Sequence, residues 1–301
     1  MTETLNNSPM AAAIACLPLH IRDAIRAVIG LYGGVCNEIR LSLGGQAYIT
    51  VHGLNILTPE ICTKEDIKET VSALCGHSLY AHSDTIREGF IFTDSGLRVG
   101  VCGRAVPKGN GIELVREISS VSIRIPHRCI GAADLLYPYV IAPDGPHGML
   151  VWSAPGVGKT TALRELASLL SRGDTPYRTA IIDTRFELSE GLSGGLLDVF
   201  SGYPRAIGME IAVRTMSPQI VICDEIAGEE DAAAVFKCAS AGVAVIASAH
   251  SGSITDLIKR NDINLLIEAS IFKTLVGLYR CGPTVCKKIT NASGEVILCS
   301  E

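Results

Sequence analysis

The chain is 301 residues long, enough for two domains of ordinary size. Hydrophobic residues make up 48% and charged residues 19%, a composition typical of globular proteins and unlike that of disordered or fibrous chains. With 26 Lys and Arg against 31 Asp and Glu, the formal charge is −5, which argues against a nucleic-acid-binding protein.

Eleven cysteines are scattered along the chain, unlike the dense framework of a small secreted domain. The amino terminus MTETLNN is acidic, and the apolar run after Met10 stops at Pro18, so we expect no signal peptide and reduced, cytoplasmic thiols. Cys281, Cys286 and Cys299 are clustered, but their wide spacing and the lack of a nearby His make a metal site the weaker alternative.

No apolar run reaches the roughly 18 residues of a membrane span, which predicts a soluble or peripheral protein.

The first part of the chain mixes short helices with short strands. Apolar spacing predicts a helix over residues 20–32, EIRLSL and AYITVHG alternate like paired strands, and Thr63 with Asp66 forms a capping box that opens a second helix. A β-hairpin with its turn at residues 94–96 is predicted over the stretch GFIFTDSGLRVGVCGRAV. These patterns predict a small α+β domain over residues 1–125, followed by a proline-rich linker over 126–147.

From residue 148 to 301 the pattern changes to buried apolar strands that alternate with helices. The predicted strands are MLVWS, RTAIID, QIVICDE and VAVIASAH. Strands without polar alternation, separated by helices, are typical of an α/β domain with a mostly parallel sheet and helices on both faces.

The stretch SAPGVGKTT follows the first of these strands and precedes the helix ALRELASLL, the order that a phosphate-binding loop requires. The glycines allow backbone N–H groups to face phosphate oxygens, and the helix N-terminus adds partial positive charge. Lys159 is predicted to reach the β- and γ-phosphates and Thr160 to hold Mg²⁺. The predicted ATP-binding residues of this loop are Ser153, Ala154, Pro155, Gly156, Val157, Gly158, Lys159, Thr160 and Thr161.

Acidic and polar residues end the other predicted strands. Asp224 follows four apolar residues and is expected to hold Mg²⁺, while Glu225 beside it is expected to polarise the attacking water. Asp183 ends another strand and is predicted to join the metal site, and His250 ends a fourth strand as a predicted γ-phosphate sensor. The carboxyl ends of parallel strands are where such sheets bind ligands.

Several stretches together resemble one family. SAPGVGKTTALRE, IIDTRFELSEG, the run from Asp198 to Val235 and AGVAVIASAHSGSITDLIKR are similar to the stage III sporulation protein AA family of endospore-forming bacteria. That family is related to the traffic ATPases of type II and type IV secretion and pilus retraction. The similarity extends through EIRLSLGGQ, REGFIFTDSGLRVGVCGR and SSVSIRIP, so it covers most of the chain.

The resemblance implies a RecA-like ATPase domain behind the small α+β domain, assembled as a ring, usually a hexamer. It matches Asp183 and Glu187 to an acidic box, with Glu187 a catalytic residue, and it matches His250 to a histidine box. Further arginines are implied to reach nucleotide at domain or subunit interfaces: Arg98, Arg104, Arg124, which is also implied in catalysis, and Arg214. Planar, permanently charged guanidinium groups suit a transition state with dispersed negative charge.

The family role implied by the resemblance is to power, from the mother-cell cytoplasm, a channel complex across the membranes that separate it from the forespore. The implied partner is a membrane protein of that complex, with the ATPase peripheral at the membrane. Two alternatives stay open: a RecA-like nucleic-acid motor, disfavoured by the charge and by 5% aromatic residues, and a nucleotide-regulated scaffold with little turnover, disfavoured by Glu225.

Overall fold

A computed structural model describes residues 9–32, 35–51, 53–93, 95–109, 111–126, 131–192, 194–282 and 284–300. The chain divides into two compact units, Met1–His127 and Arg128–Glu301. One hydrophobic cluster forms the core of the first unit, and two clusters form the core of the second. Asp94 of the predicted hairpin turn, and residues 127–130 of the predicted linker, lie outside the described residues.

The first unit packs helices against an antiparallel sheet. Its elements are α1 (Pro9–Ala15), α2 (Leu19–Tyr32), β1 (Cys36–Ser42), β2 (Gln46–Val51), β3 (Leu54–Ile61), α3 (Lys64–Leu74), a 3₁₀ turn (Leu79–His82), α4 (Ser83–Arg87), β4 (Phe90–Phe92), β5 (Arg98–Lys108) and β6 (Gly111–Arg124). The strand order is β3-β2-β1-β6-β5-β4, and each neighbouring pair runs antiparallel.

The apolar periodicity of α2 explains how the first core forms. Ile21, Ile25 and Val28 recur at helical spacing and are buried in the same cluster as Ile39 and Leu41, which alternate along β1. One face of the sheet therefore faces the helices, as the sequence pattern predicts.

The capping box predicted at the start of α3 is present. The Thr63 hydroxyl accepts the Asp66 N–H at 3.2 Å, and the Asp66 carboxylate accepts the Thr63 N–H at 2.8 Å. Such reciprocal bonds satisfy backbone donors that the first helical turn leaves unpaired. The hairpin predicted over GFIFTDSGLRVGVCGRAV is also confirmed, as antiparallel β4 and β5.

The second unit alternates strands and helices. Its elements are α5 (Tyr137–Val140), β7 (Ile141–Ala142), β8 (Gly145–Pro146), β9 (Met149–Ser153), α6 (Lys159–Arg172), β10 (Thr179–Asp183), β11 (Leu197–Ser201), α7 (Arg205–Met216), β12 (Ile220–Cys223), α8 (Glu229–Ser240), β13 (Ala244–His250), α9 (Ile254–Ile258), α10 (Asn261–Glu268), β14 (Thr274–Cys281), β15 (Thr284–Asn291) and β16 (Val296–Ser300).

The large sheet has the order β11-β10-β12-β13-β9-β14-β15-β16. Every pair from β11 to β14 is parallel, and β15 and β16 extend the sheet antiparallel. The four predicted strands are β9, β10, β12 and β13, side by side at the centre. The mostly parallel α/β sheet is therefore confirmed, with one parallel strand added at each side and an antiparallel pair beyond β14.

Helices cover both faces of this sheet. Along β9, Met149 and Val151 face the cluster that contains α6, while Leu150 and Trp152 face the cluster that contains α7 to α10. All five β9 residues are buried, which explains the lack of polar alternation in the sequence. Among the described residues, no helix is long and apolar enough to cross a membrane.

Candidate nucleotide-binding site

The predicted phosphate loop connects β9 to α6 at the carboxyl edge of the sheet. Gly156 and Gly158 have φ angles of 72° and 123°, and open space lies beyond both where a Cβ would stand. Residues with side chains rarely adopt such angles, so glycine is required at both positions. The loop therefore leaves room for an anion in front of the N-terminus of α6, which begins at Lys159.

The Lys159 side chain is folded back into this loop and is 6% exposed. Its ammonium donates to the Ser153 carbonyl at 3.1 Å, the Ser153 hydroxyl at 3.2 Å, the Ala154 carbonyl at 3.3 Å and His250 Nδ1 at 2.8 Å. A charged ammonium can only donate, so Nδ1 accepts and a neutral His250 carries its proton on Nε2. Ser153, where the usual motif has glycine, thus supplies two of the oxygen acceptors of Lys159.

Burial lowers the pKa of Lys159, and the charges of Asp224 and Glu225 oppose part of that shift. None of the oxygen acceptors that hold the ammonium is a carboxylate. An anionic partner would stabilise the charged form of this buried ammonium, because neutral acceptors compensate its charge only in part.

Asp224 follows β12 and lies beside Thr160 and Ser248. Its Oδ2 accepts the Thr160 hydroxyl at 3.2 Å, and its Oδ1 accepts the Ser248 hydroxyl at 2.6 Å. The structure therefore brings together Thr160 and Asp224, two of the three predicted metal ligands. Hydroxyl and carboxylate oxygens are the ligands that Mg²⁺ prefers.

Glu225 has a φ of 40°, a left-handed conformation that is uncommon for a residue with a side chain. Its Oε2 lies 3.0 Å from Arg185 Nη1, and its Oε1 lies 3.7 Å from His250 Nε2. Glu225, His250 and Lys159 thus form a chain of contacts at the ends of β12, β13 and β9.

Asp183 ends β10 and is 1% exposed. Its Oδ1 accepts the Glu187 N–H at 3.0 Å, and its Oδ2 accepts the Ser189 N–H at 2.8 Å and the Ser189 hydroxyl at 2.6 Å. Both oxygens therefore shape the loop of residues 183–189, and the role of Asp183 as a metal ligand stays a prediction. Glu187 lies in this loop, and its backbone carbonyl accepts a bond from Arg164.

Three of the four predicted interface arginines lie in the first unit. Arg98 lies over the Phe90 ring at 5.1 Å, and Arg104 and Arg124 are exposed on β5 and β6 of the first unit. Arg214 lies near the end of α7 and lines a cavity of about 260 Å³ between α7 and α8. Because α7 runs back from the carboxyl edge, this end of the helix lies toward the opposite edge, so the structure does not bring Arg214 to the phosphate loop of its own chain.

Three residues at the site were not among those predicted from sequence. Arg185 pairs with Glu225, Ser248 contacts Asp224, and Arg280 Nη2 donates to the Gly156 carbonyl at 3.2 Å. Arg185 and Ser248 stand in strand-end segments that already indicated the site. Arg280 lies on β14, a strand that the sequence patterns did not reveal, so no signal pointed to it.

The cysteine prediction needs correction. Cys281 on β14 and Cys286 on β15 form a disulfide across the hairpin, so the expectation of reduced thiols is wrong at this pair. Cys299 is a free thiol on β16. Across the described ranges, no group of three or more His, Cys, Asp or Glu side chains could hold a metal ion, so the alternative of a cysteine metal site is not supported there either.

Solved structures of secretion and pilus ATPases share this fold. The ATPase DotB of Legionella pneumophila superimposes with a TM-score of 0.57 and 12% identity over 85% of this chain and 76% of that protein. The pilus retraction motor PilT, solved with bound ADP, gives a TM-score of 0.59 and 14% identity over 88% of this chain and 81% of that protein. The fold is thus the RecA-like P-loop fold of secretion ATPases.

Sequence comparison identifies the family. Stage III sporulation protein AA of Bacillus subtilis (strain 168) is 32% identical over 292 residues, covering 93% of this chain and 95% of the relative. The Arabidopsis thaliana protein SEEDLING PLASTID DEVELOPMENT 1 is 32% identical over 164 residues, covering 50% of this chain and 23% of that protein. A family model described as "Sporulation stage III, protein AA" matches residues 17–297, and the chain belongs to this family.

Proposed function

We propose that this chain is a magnesium-dependent ATPase that works as one subunit of a ring-shaped motor. The observation that carries the proposal is the convergence of Lys159, Thr160, Asp224, Glu225 and His250 at the carboxyl edge of one parallel sheet. Each side chain has the chemistry that ATP hydrolysis needs at that position. The shared fold with PilT, which was solved with ADP, supports nucleotide as the ligand.

The phosphate loop fits a polyphosphate in both shape and charge. Gly156 and Gly158 leave open space where side chains would otherwise stand, and the N-terminus of α6 faces that space. Lys159 is buried, and its oxygen acceptors are neutral. An anion in the loop would supply the charge compensation that its ammonium lacks.

Magnesium fits the oxygen pair of Thr160 and Asp224. The ion takes few protein ligands and completes its octahedral shell with water and phosphate oxygens. When bound, it would neutralise phosphate charge that develops during hydrolysis. The Thr160 hydroxyl and the Asp224 carboxylate already lie 3.2 Å apart, so one ion could be held by both side chains.

Glu225 is the group suited to orient water and to accept its proton. Its carboxylate is 26% exposed, which leaves it accessible to a water molecule, and Arg185 Nη1 lies 3.0 Å from it. His250 contacts Lys159 through Nδ1 and faces Glu225 through Nε2. A change in the position of Lys159 would therefore reach Glu225 through the imidazole ring, which suits His250 to the role of a γ-phosphate sensor.

We further propose that arginines of the first unit complete the site between subunits of a hexameric ring. Arg104 is exposed and stands directly opposite Arg116 on the β5–β6 hairpin. Like charges opposite one another destabilise a hairpin unless an anion compensates them, which favours a phosphate-facing role. Arg98 and Arg124 of the first unit are further candidates, as is Arg214 on α7 of the second unit, and the roles of all four stay proposals.

The family gives the setting of this motor. We propose that it acts in the mother-cell cytoplasm, peripheral at the membrane, on a membrane-embedded component of the channel that leads to the forespore. The match to a sporulation protein over almost the whole chain supports that setting. ATP and Mg²⁺ are the proposed cofactors, and no nucleic-acid partner is proposed.

The test is an ATPase assay of the purified protein across a range of protein concentrations. Lys159→Ala should abolish ATP binding, since it removes the buried cation of the loop. Glu225→Gln should bind ATP but hydrolyse it at least about 100-fold more slowly, since the amide cannot accept a proton. If sites form between subunits, the activity per subunit should rise with protein concentration.

Three results would contradict the proposal in different ways. Hydrolysis unaffected by Glu225→Gln would refute the assigned mechanism. Binding of ATP without turnover at any protein concentration would favour a nucleotide-regulated scaffold. Turnover that depends on added DNA would favour a nucleic-acid motor.

A further inference from the structure

A buried hydroxyl joins the two strands that carry the acidic residues of the site. Ser248 lies on β13 and has 0% exposure. β12 and β13 pair in parallel up to Cys223 opposite Ala247, so Asp224 and Ser248 are the next residues along the two strands. The regular pairing of the two strands ends there, and the bonds beyond it involve the Ser248 side chain.

Ser248 bonds to three consecutive residues beyond β12. Its hydroxyl donates to Asp224 Oδ1 at 2.6 Å and accepts the Glu225 N–H at 3.0 Å. Its carbonyl oxygen accepts the Ile226 N–H at 2.8 Å. A serine hydroxyl has one proton to donate and lone pairs to accept, so one side chain binds both acidic residues at the same time.

These bonds hold a backbone conformation that would otherwise relax. Glu225, which lies between Asp224 and Ile226 in the chain, has a φ of 40°. Ile226 is buried, with 0% exposure. A left-handed residue with a side chain persists only where its surroundings impose that conformation. The Ser248 hydroxyl and carbonyl accept the amides of Glu225 and Ile226, so this one residue of β13 supplies two of the bonds that hold the turn.

We propose that Ser248 is a positioning residue that sets Asp224 and Glu225 relative to each other for hydrolysis. This inference rests on the proposed ATPase function. Ser248 acts through the two carboxylates, by fixing the direction of the Asp224 carboxylate and the backbone turn of Glu225. It therefore governs the rate of the chemical step rather than the binding of ATP by the phosphate loop.

The substitution series separates this role from ordinary core packing. Ser248→Ala removes both hydroxyl bonds and keeps the carbonyl, and Ser248→Thr keeps the hydroxyl with one extra methyl group. Ser248→Cys introduces a side chain of almost the same size as serine, but its thiol forms weaker hydrogen bonds. Ser171→Ala is the matched control, because Ser171 is also buried and donates only to the Ser168 carbonyl on α6.

The first measurement is steady-state ATP hydrolysis with a separate measurement of Mg·ATP affinity. Ser248→Ala should lower kcat about 10- to 100-fold, the loss expected when catalytic groups are misplaced, and should change the affinity less than about threefold. Ser248→Thr should recover most of kcat, Ser248→Cys should fall between, and Ser171→Ala should match the wild type. In a Glu225→Gln background, Ser248→Ala should cause little further loss, since both changes disable the same group.

The second measurement does not depend on turnover. Hydrogen exchange should speed up at the Glu225 amide in Ser248→Ala, because that amide loses its acceptor, but not in Ser248→Thr or Ser171→Ala. An active wild type with unchanged kcat in Ser248→Ala would overturn the inference, and so would unchanged exchange at Glu225. If the wild type has no ATPase activity, the proposed function fails, and Glu225 exchange alone decides whether Ser248 holds the turn.

Discussion

Replacement of Asp183 by alanine should destabilise the second unit even without nucleotide or magnesium. The carboxylate is 1% exposed and accepts three hydrogen bonds, two from the amides of Glu187 and Ser189 and one from the Ser189 hydroxyl. A hydrogen bond to a charged group contributes about 1.5 kcal/mol at the low end, so three give roughly 4.5 kcal/mol. Asp183→Asn keeps one acceptor oxygen but turns an NH₂ group toward a donor, so we expect about half that loss.

The chain offers a direct readout, since Trp152 on β9 is its only tryptophan and lies in the second unit. Urea unfolding followed by Trp152 fluorescence, with EDTA present, should give a midpoint for Asp183→Ala about 2 M lower, for a urea slope of about 2 kcal/mol/M. Asp174→Ala is the control, because Asp174 is exposed in the loop before β10, and it should stay within about 0.5 kcal/mol of wild type. A loss below about 1 kcal/mol, or one that appears only with Mg²⁺, would refute this account and favour the metal-ligand role.

Three further predictions concern charge and covalent bonding near the phosphate loop. Burial lowers the pKa of Lys159, and a bound phosphate would favour its charged form. ATP affinity measured by titration should therefore weaken, by up to about tenfold per pH unit, as the pH rises above the lowered pKa, whereas Lys159→Arg should show a flat profile. Arg185→Ala should lower kcat about tenfold, because its guanidinium lies beside the Glu225 carboxylate. It should change the free energy of unfolding by less than about 0.5 kcal/mol, because the Arg185 side chain is 63% exposed, and an unchanged kcat would exclude a role in hydrolysis. Reduction of the Cys281–Cys286 disulfide should cost about 2 kcal/mol in urea unfolding, since it closes a short loop, and equal midpoints with and without reductant would contradict this.

The centre of the sheet could be predicted from sequence because its strands are buried on both faces. MLVWS coincides with β9, and the other three predicted strands differ from β10, β12 and β13 by one or two residues at their ends. Once the strands are parallel, their carboxyl ends must share one edge, and this is why Lys159, Asp224 and His250 could be expected together.

The antiparallel extension of the sheet could not be predicted in the same way. β14 contains Gly277, which weakens a strand pattern when it is judged by local preference. In the structure a Cβ at Gly277 would lie 2.6 Å from the Trp152 ring, so glycine is required by a contact 125 residues away in sequence. The strand was therefore missed, together with Arg280 and the Cys281–Cys286 pairing.

The position of Arg214 on α7 decides at which kind of interface it could reach nucleotide. Residues at strand ends lie at one edge, but a helix between two parallel strands crosses from one edge to the other. Arg214 is near the end of α7 that approaches the start of β12, and it faces Glu210 and Lys237 between α7 and α8. A nucleotide contact by Arg214 would have to come from another subunit.

The two loops that carry the acidic groups share a physical device that sequence patterns do not reveal. Each contains a non-glycine residue with positive φ, Phe186 at 57° after β10 and Glu225 at 40° after β12. In each loop a buried polar side chain at a strand end, Asp183 or Ser248, accepts backbone N–H groups from the segment. Those bonds offset the cost of a conformation that local preference disfavours, and they fix the side chains at the carboxyl edge of the sheet. Two departures from local rules therefore lie in the loops that bring Arg185 to Glu225, where a catalytic arrangement would need a fixed but unfavourable backbone.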